Sequence, residues 1–172
     1  MFNKIFYIIF FIFILFIFRI IPHSPNFTPI IAFALVGPTL LKSRIYGLSI
    51  PIFSMFISDI VIGFHSYQLI IYLTLLSISL ISPLTKSYFK HGLGALIASS
   101  WFFISTNFAV WIVWDFYPKT FDGLILCYTM AIPFFQNTII STVLFTFIIL
   151  LLKDYIQTFY KICFSYIEKI KV

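Results

Sequence analysis

The chain has 172 residues, 62% of them hydrophobic and 9% charged, with a formal net charge of +6. A soluble domain this small has too much surface for its volume to hide so much apolar material, which excludes an ordinary water-soluble globule and leaves a bilayer as the solvent. At roughly 20 apolar residues per crossing, the length admits about six short spans and no separate soluble domain.

The first apolar run, Ile5–Ile21, follows Lys4 and resembles a signal peptide. No small-residue cleavage site follows; Arg19 and Pro22 come instead, so the run is expected to stay as an uncleaved first helix. A polar segment, Pro22-His23-Ser24-Pro25-Asn26, leads into span 2, about Phe27–Leu41. Three prolines, Pro22, Pro25 and Pro29, surround Asn26 and forbid a regular helix there. Such a segment is either a tight loop between spans, or a binding-site lid or re-entrant corner, because irregular backbone at membrane depth is tolerated only inside protein or beside a cavity.

Span 3 is about Ile45–Gly63, span 4 about Tyr67–Ser82 and span 5 about Leu93–Trp114. Span 6, about Leu124–Leu152, contains Pro133, which is expected to kink or split it. Spans 2 and 4 are short, and span 2 admits a re-entrant reading. From Lys153 to Val172 the pattern changes: Ile156, Tyr160, Cys163, Ile167 and Ile170 share one helical stripe, and Asp154, Gln157, Lys161, Ser165 and Glu168 another. That pattern suits a helix lying on a membrane surface, or a continuation of span 6. The expected fold class is therefore all-α: a transmembrane domain of about six helices over 1–152, and an amphipathic cytoplasmic tail over 153–172.

Loop charges give the expected orientation. Lys4, Lys42, Arg44, Lys86, Lys90, Lys153, Lys161, Lys169 and Lys171 fall on one side, against Arg19 and Lys119 on the other. The richer side marks the cytoplasm, so both termini are expected inside an inner or plasma membrane. Basic residues scattered over short loops do not suit nucleic acid, and none is expected as a partner. Cys127 and Cys163 fall on opposite sides, which excludes a disulfide between them.

The outer side gathers a different population: Arg19, His23, Asn26, Asp59, His65, Asp115, Lys119 and Asp122, with Asn107, Trp111 and Trp114 near the end of span 5. An ionised group at the bilayer centre costs about 2.5–3.5 kcal/mol on insertion scales. Asp59 is therefore expected to face the bundle, either in a structural ion pair with Arg19 or as a ligand contact. Arg19 either snorkels or pairs, or grips an anion. His23, His65 and Asp59 lack the spacing of a metal motif, and no metal is expected. Asn107 and Trp111 are four apart and share a helix face. Asn137, after Pro133, suits a broken-helix site or an interhelical hydrogen bond. The candidate substrate-binding set is His23, Asn26, Asp59, His65, Asn107, Trp111 and Asn137. No nucleophile elbow, P-loop, HExxH or CxxC occurs, so neither catalysis nor a cofactor is expected.

Five stretches carry a resemblance: Arg19–Pro29 (RIIPHSPNFTP), Ser58–His65 (SDIVIGFH), Phe103–Trp111 (FISTNFAVW), Tyr117–Tyr128 (YPKTFDGLILCY) and Ile132–Thr138 (IPFFQNT). Together they resemble DUF6580, an uncharacterised membrane family often labelled as transport proteins. That family is in turn similar to the substrate-binding S components of energy-coupling factor vitamin transporters, which are small six-helix proteins with a pocket open to the outside. The resemblance implies uptake of a vitamin-like solute, entering between Pro22–Pro29 and Trp114–Gly123, with an ATPase or coupling subunit as partner. Ser24 stands where the family pattern has Pro. S components carry an AxxxA-like face on their first helix for docking; span 1 here has no Ala or Gly. The rival function classes are a membrane enzyme acting on a lipid, with Asp59 and His65 as acid and base, and an assembly subunit without a ligand.

Overall fold

The structure is a computed structural model that describes residues 2–83 and 87–170, with side chains described over 5–83 and 87–158. Among the described residues there are six helices: α1 (Phe2–Ile20), α2 (Ile30–Leu40), α3 (Arg44–Ile62), α4 (Gln68–Ile81), α5 (Tyr88–Val113) and α6 (Phe121–Ile170). Three of them are long and apolar enough to cross a membrane: α3, α5 and the Phe121–Thr158 part of α6. That is compatible with a membrane protein. The distribution of side chains agrees, since Phe6, Ile9, Phe13, Leu69 and Phe121 are exposed while Ser54, Asp59, His91 and Thr142 are buried. In water such a surface would aggregate; against hydrocarbon it is the favourable arrangement.

The bundle is organised around α2. Its 11 residues span about 16 Å at 1.5 Å per residue, well short of the hydrocarbon core. Ile30 through Pro38 are all buried, so the helix has no polar or exposed face. It packs against α3, α4, α5 and α6, while α1 lies outside it against α3. Phe11 of α1 meets Phe33 of α2 with ring centroids 5.0 Å apart, extending the core toward α1. On α6, Thr138, Ser141, Thr142 and Thr146 are buried in place of larger residues, and α6 packs against α2.

Local chemistry explains the boundaries. Span 2 begins three residues later than expected, because Phe27–Pro29 belong to the irregular segment. Helix α2 ends where Lys42 takes a left-handed conformation at φ 51° and Ser43 N–H reaches back to Pro38 O at 3.1 Å. Ser43 then caps α3 by accepting from Tyr46 N–H. This tight turn needs Gly47, since a Cβ there would sit 2.3 Å from Pro38 N. Helix α5 starts five residues before the expected Leu93, because Ser87 caps it by accepting from Lys90 N–H.

The last helix is continuous from Phe121 to Ile170, so Pro133 lies inside it without splitting it, and the tail follows as a continuation of span 6. The expected stripes lie largely outside the residues whose side chains are described, as do the side chains of Lys4, Lys86, Lys161, Cys163, Glu168, Lys169 and Lys171.

Candidate functional site

Residues of three connections, 21–29, 63–67 and 114–120, meet around shared cavities at one end of the bundle. This end holds every candidate residue from the sequence near Arg19, His23 and His65, and it holds two adjoining cavities. The first encloses about 340 Å³ between Asn26, Thr106, Asn107, Tyr117 and Phe134. The second encloses about 370 Å³ and is lined by Arg19, His23, Thr28, His65 and Met55. Asn26, Tyr67, Ile71 and Phe102 line both, so the two are lobes of one space with these four side chains at the waist.

The roof of the space is the proline segment. Asn26 adopts a left-handed backbone at φ 61°, which Asn tolerates better than most residues. Two hydrogen bonds from α6 tie it down. Asn137 Nδ2 donates to Pro25 O at 3.1 Å, and Ser141 Oγ donates to Asn26 O at 3.3 Å. These bonds satisfy carbonyls that a helix would otherwise have used. Asn137 lines neither lobe; its place is under the roof.

Beneath the second lobe lies a polar cluster linking α1, α3 and α4. Asp59 is 0% exposed, and Arg19 Nη1 stands 2.6 Å from its Oδ1. Oδ2 accepts from Gln68 Nε2 at 2.5 Å and Tyr72 Oη at 2.6 Å. Arg19 Nη1 also meets Ser58 Oγ at 2.6 Å and Met55 O at 3.2 Å. Gln68 Oε1 accepts from His65 N–H, which fastens the 63–67 connection to the same cluster. Both carboxylate oxygens are thus filled by protein donors, and Asp59 lines neither lobe. Of the two roles the sequence allowed Asp59, the ion pair with Arg19 is the one this geometry displays.

The connection 114–120 is closed by its own hydrogen bonds. Trp111 Nε1 donates to Pro118 O at 2.9 Å, and Lys119 Nζ donates to the carbonyls of Trp111 and Trp114 at the end of α5. A cation on the last carbonyls of a helix also suits its dipole. Gly123 is required here, since a Cβ would fall 2.0 Å from Pro118 O. Trp111, a member of the candidate substrate-binding set, therefore holds the loop and lines neither lobe. Asn107, one turn earlier, lines the first lobe, with its Nδ2 donating to Phe103 O at 2.8 Å.

Tyr67 joins the pieces. Its ring meets His65 edge-on at 4.6 Å and Trp114 at 6.0 Å, so it bridges two connections while standing at the waist. Burial pushes its phenol above the ordinary 10.0.

Of the sequence candidates, His23, Asn26, His65 and Asn107 come together around the space, while Asp59, Trp111 and Asn137 support it from outside. Gln68, Tyr72, Tyr67, Phe102 and Ser141 were not singled out by the sequence. Gln68 and Tyr72 carried a signal, being polar residues one turn apart at the start of an apolar run. Among the described residues no group of three His, Cys, Asp or Glu is placed to hold a metal. Cys127 is a buried free thiol in the first lobe's wall.

The DUF6580 pattern matches residues 1–162, nearly the whole chain. The chain belongs to the DUF6580 family. DUF6580 is described as a family of unknown function. No curated protein and no solved structure matches the chain. All five stretches that carried the resemblance contribute to this end: Arg19–Pro29 forms the roof and the Arg19 contact, Ser58–His65 the polar cluster, and Phe103–Trp111, Tyr117–Tyr128 and Ile132–Thr138 the first lobe. The fifth also supplies Asn137.

Proposed function

We propose that this DUF6580 chain is a multi-pass protein of the inner or plasma membrane that binds a small, vitamin-like solute at its outer face for uptake, in the manner of a substrate-binding S component. In this reading all six helices are membrane-embedded, both termini are cytoplasmic, and short α2 is screened from lipid by its neighbours. Along the sequence, nine of the 11 Lys and Arg residues fall in connections on the side opposite Arg19 and Lys119, which supports that orientation.

The observation that carries the reading is the two-lobed space itself. It lies at one end, between the roof segment and the 114–120 connection, and its apolar walls carry a few polar side chains, the usual make-up of a small-molecule site. Energy for movement would come from an ATPase or coupling subunit, since the chain has no nucleotide motif. An S-component-like partner would have to dock without the small-residue face on α1, whose residues 5–20 are all large.

Ligand-induced thermal stabilisation of the purified protein tests the reading. Fractionated small-metabolite pools should raise the transition of the native chain and leave Ala131→Trp unmoved, because Ala131 is buried in the first lobe's wall and an indole there fills the lobe. Identical responses from both proteins to every pool would refute binding in this space.

A further inference from the structure

The two lobes differ in charge. The first is lined by apolar, aromatic, amide and hydroxyl groups, and no ionisable acid or base beyond tyrosine and cysteine is among them. The second is lined by one guanidinium and two imidazoles, Arg19, His23 and His65, and none of its lining residues is acidic. Asp59 stands behind Arg19, outside the lining.

Arg19 is only partly used by the protein. Its contacts to Asp59, Ser58 and Met55 all run through Nη1. Among the described residues none accepts from Nε or Nη2, although the side chain is only 16% exposed. A guanidinium with one nitrogen held by a buried carboxylate and its other donors free is pre-aimed: the rotamer entropy is already lost, and planar donors remain for a second acceptor. His23 and His65 add ring nitrogens to the same lobe; His23 Nδ1 is within 2.9 Å of Ser24 O, which leaves Nε2 for a ligand.

Resting on the binding role proposed above, we infer that the ligand is a compact anionic amphiphile: a flat, uncharged ring system in the first lobe and a carboxylate on Arg19 in the second. Phe102 and Tyr67, at the waist, sit where the ring would join the acid. A cationic solute is disfavoured by Arg19, and a neutral one leaves its free donors unpaired in a site of low dielectric.

Benzoate and 2-naphthoate serve as probes, each beside its primary amide and its aminomethyl cation, with binding measured by equilibrium dialysis on purified full-length protein in phosphatidylcholine nanodiscs. Ala131→Trp nanodiscs give the background for partition into lipid. The carboxylate is expected to bind roughly tenfold or more tighter than the amide, and the cation not at all. In the double variant Arg19→Gln/Asp59→Asn, which leaves no buried charge unpaired, carboxylate affinity should fall to that of the amide. The ranking on the native chain needs no variant and stands if the double variant fails to fold. Equal binding of acid and amide, or preference for the cation, overturns the anion inference and leaves the binding site standing. Absence of binding by every probe above the Ala131→Trp background overturns both. Nanodiscs doped with phosphatidylglycerol separate a soluble acid from a lipid phosphate. Unchanged carboxylate binding is expected; displacement by the anionic lipid would assign Arg19 to a headgroup and overturn the inference.

Discussion

Asp59→Asn is the most informative single change to the polar cluster. The native carboxylate accepts Arg19 on Oδ1 and both Gln68 and Tyr72 on Oδ2. Asparagine offers one oxygen and one NH2. If the oxygen faces Arg19, the NH2 meets two donors; if it faces Gln68 and Tyr72, the NH2 meets a guanidinium. Either orientation loses at least one bond and leaves the Arg19 cation without a counter-charge in a site where Asp59 is 0% exposed. Removing one partner of a buried pair costs about 3–5 kcal/mol, and because Arg19 is 16% exposed the lower end applies. For a chain of this length about 1 kcal/mol moves the transition by roughly 2–4 °C. Thermal unfolding in detergent, followed by tryptophan fluorescence, should therefore show Asp59→Asn lower by roughly 6–12 °C. The cluster joins three helices, so Arg19→Met/Asp59→Leu should recover most of that loss, as apolar replacements of buried pairs do. A transition within about 2 °C of the native value for Asp59→Asn would refute the claim that this carboxylate holds α1, α3 and α4 together.

Three further outcomes follow from separate features. Gly47→Ala should destabilise by about 1–3 kcal/mol, seen as a lower transition, because the added Cβ would lie 2.3 Å from Pro38 N and force α2 and α3 apart. Asn137→Ala should leave helix content unchanged by circular dichroism but raise protease cleavage or hydrogen exchange in 21–29, since it frees Pro25 O from α6. Tyr67 gives a pH signature. Its phenol is raised above 10.0 by burial, so the unfolded chain loses its proton first as pH rises. Stability from this group is fully present below pH 10.0 and is lost above it, up to the folded pKa; Tyr67→Phe should lose less stability than the native chain over that alkaline range.

The sequence made the helical stretches legible because apolar runs are bounded by Lys, Pro and Gly, and those boundaries fall within a few residues of the observed ones for α1, α3 and α4. It could not show that α2 is the central helix. A stretch that is apolar all round reads the same whether neighbouring helices or lipid surround it, and only packing separates the two. The start of α5 was missed because Lys90 and His91 read as loop, while the Ser87 cap draws that turn into the helix. At the site, the sequence grouped the right end of the chain but not the right roles. Asn107 and Trp111 share a helix face by spacing, yet the 114–120 connection folds over Trp111 and takes its N–H. Asn137 finds its partner 112 residues away, a contact that no local pattern encodes. For Asp59 the sequence offered an ion pair with Arg19 or a ligand contact; the pair forms, and the two further donors from Gln68 and Tyr72 on α4 are what no local pattern announced.

An uptake site must face outward, so the compartment that the cavity end faces is decisive. In a background with Cys127 and Cys163 replaced by serine, single cysteines at His23 and Lys90 can be labelled with a membrane-impermeant maleimide on intact cells and again after permeabilisation. His23→Cys should react in intact cells and Lys90→Cys only once the membrane is opened. Reaction of both from the same side, or of Lys90→Cys alone from outside, would contradict an outward-facing solute site.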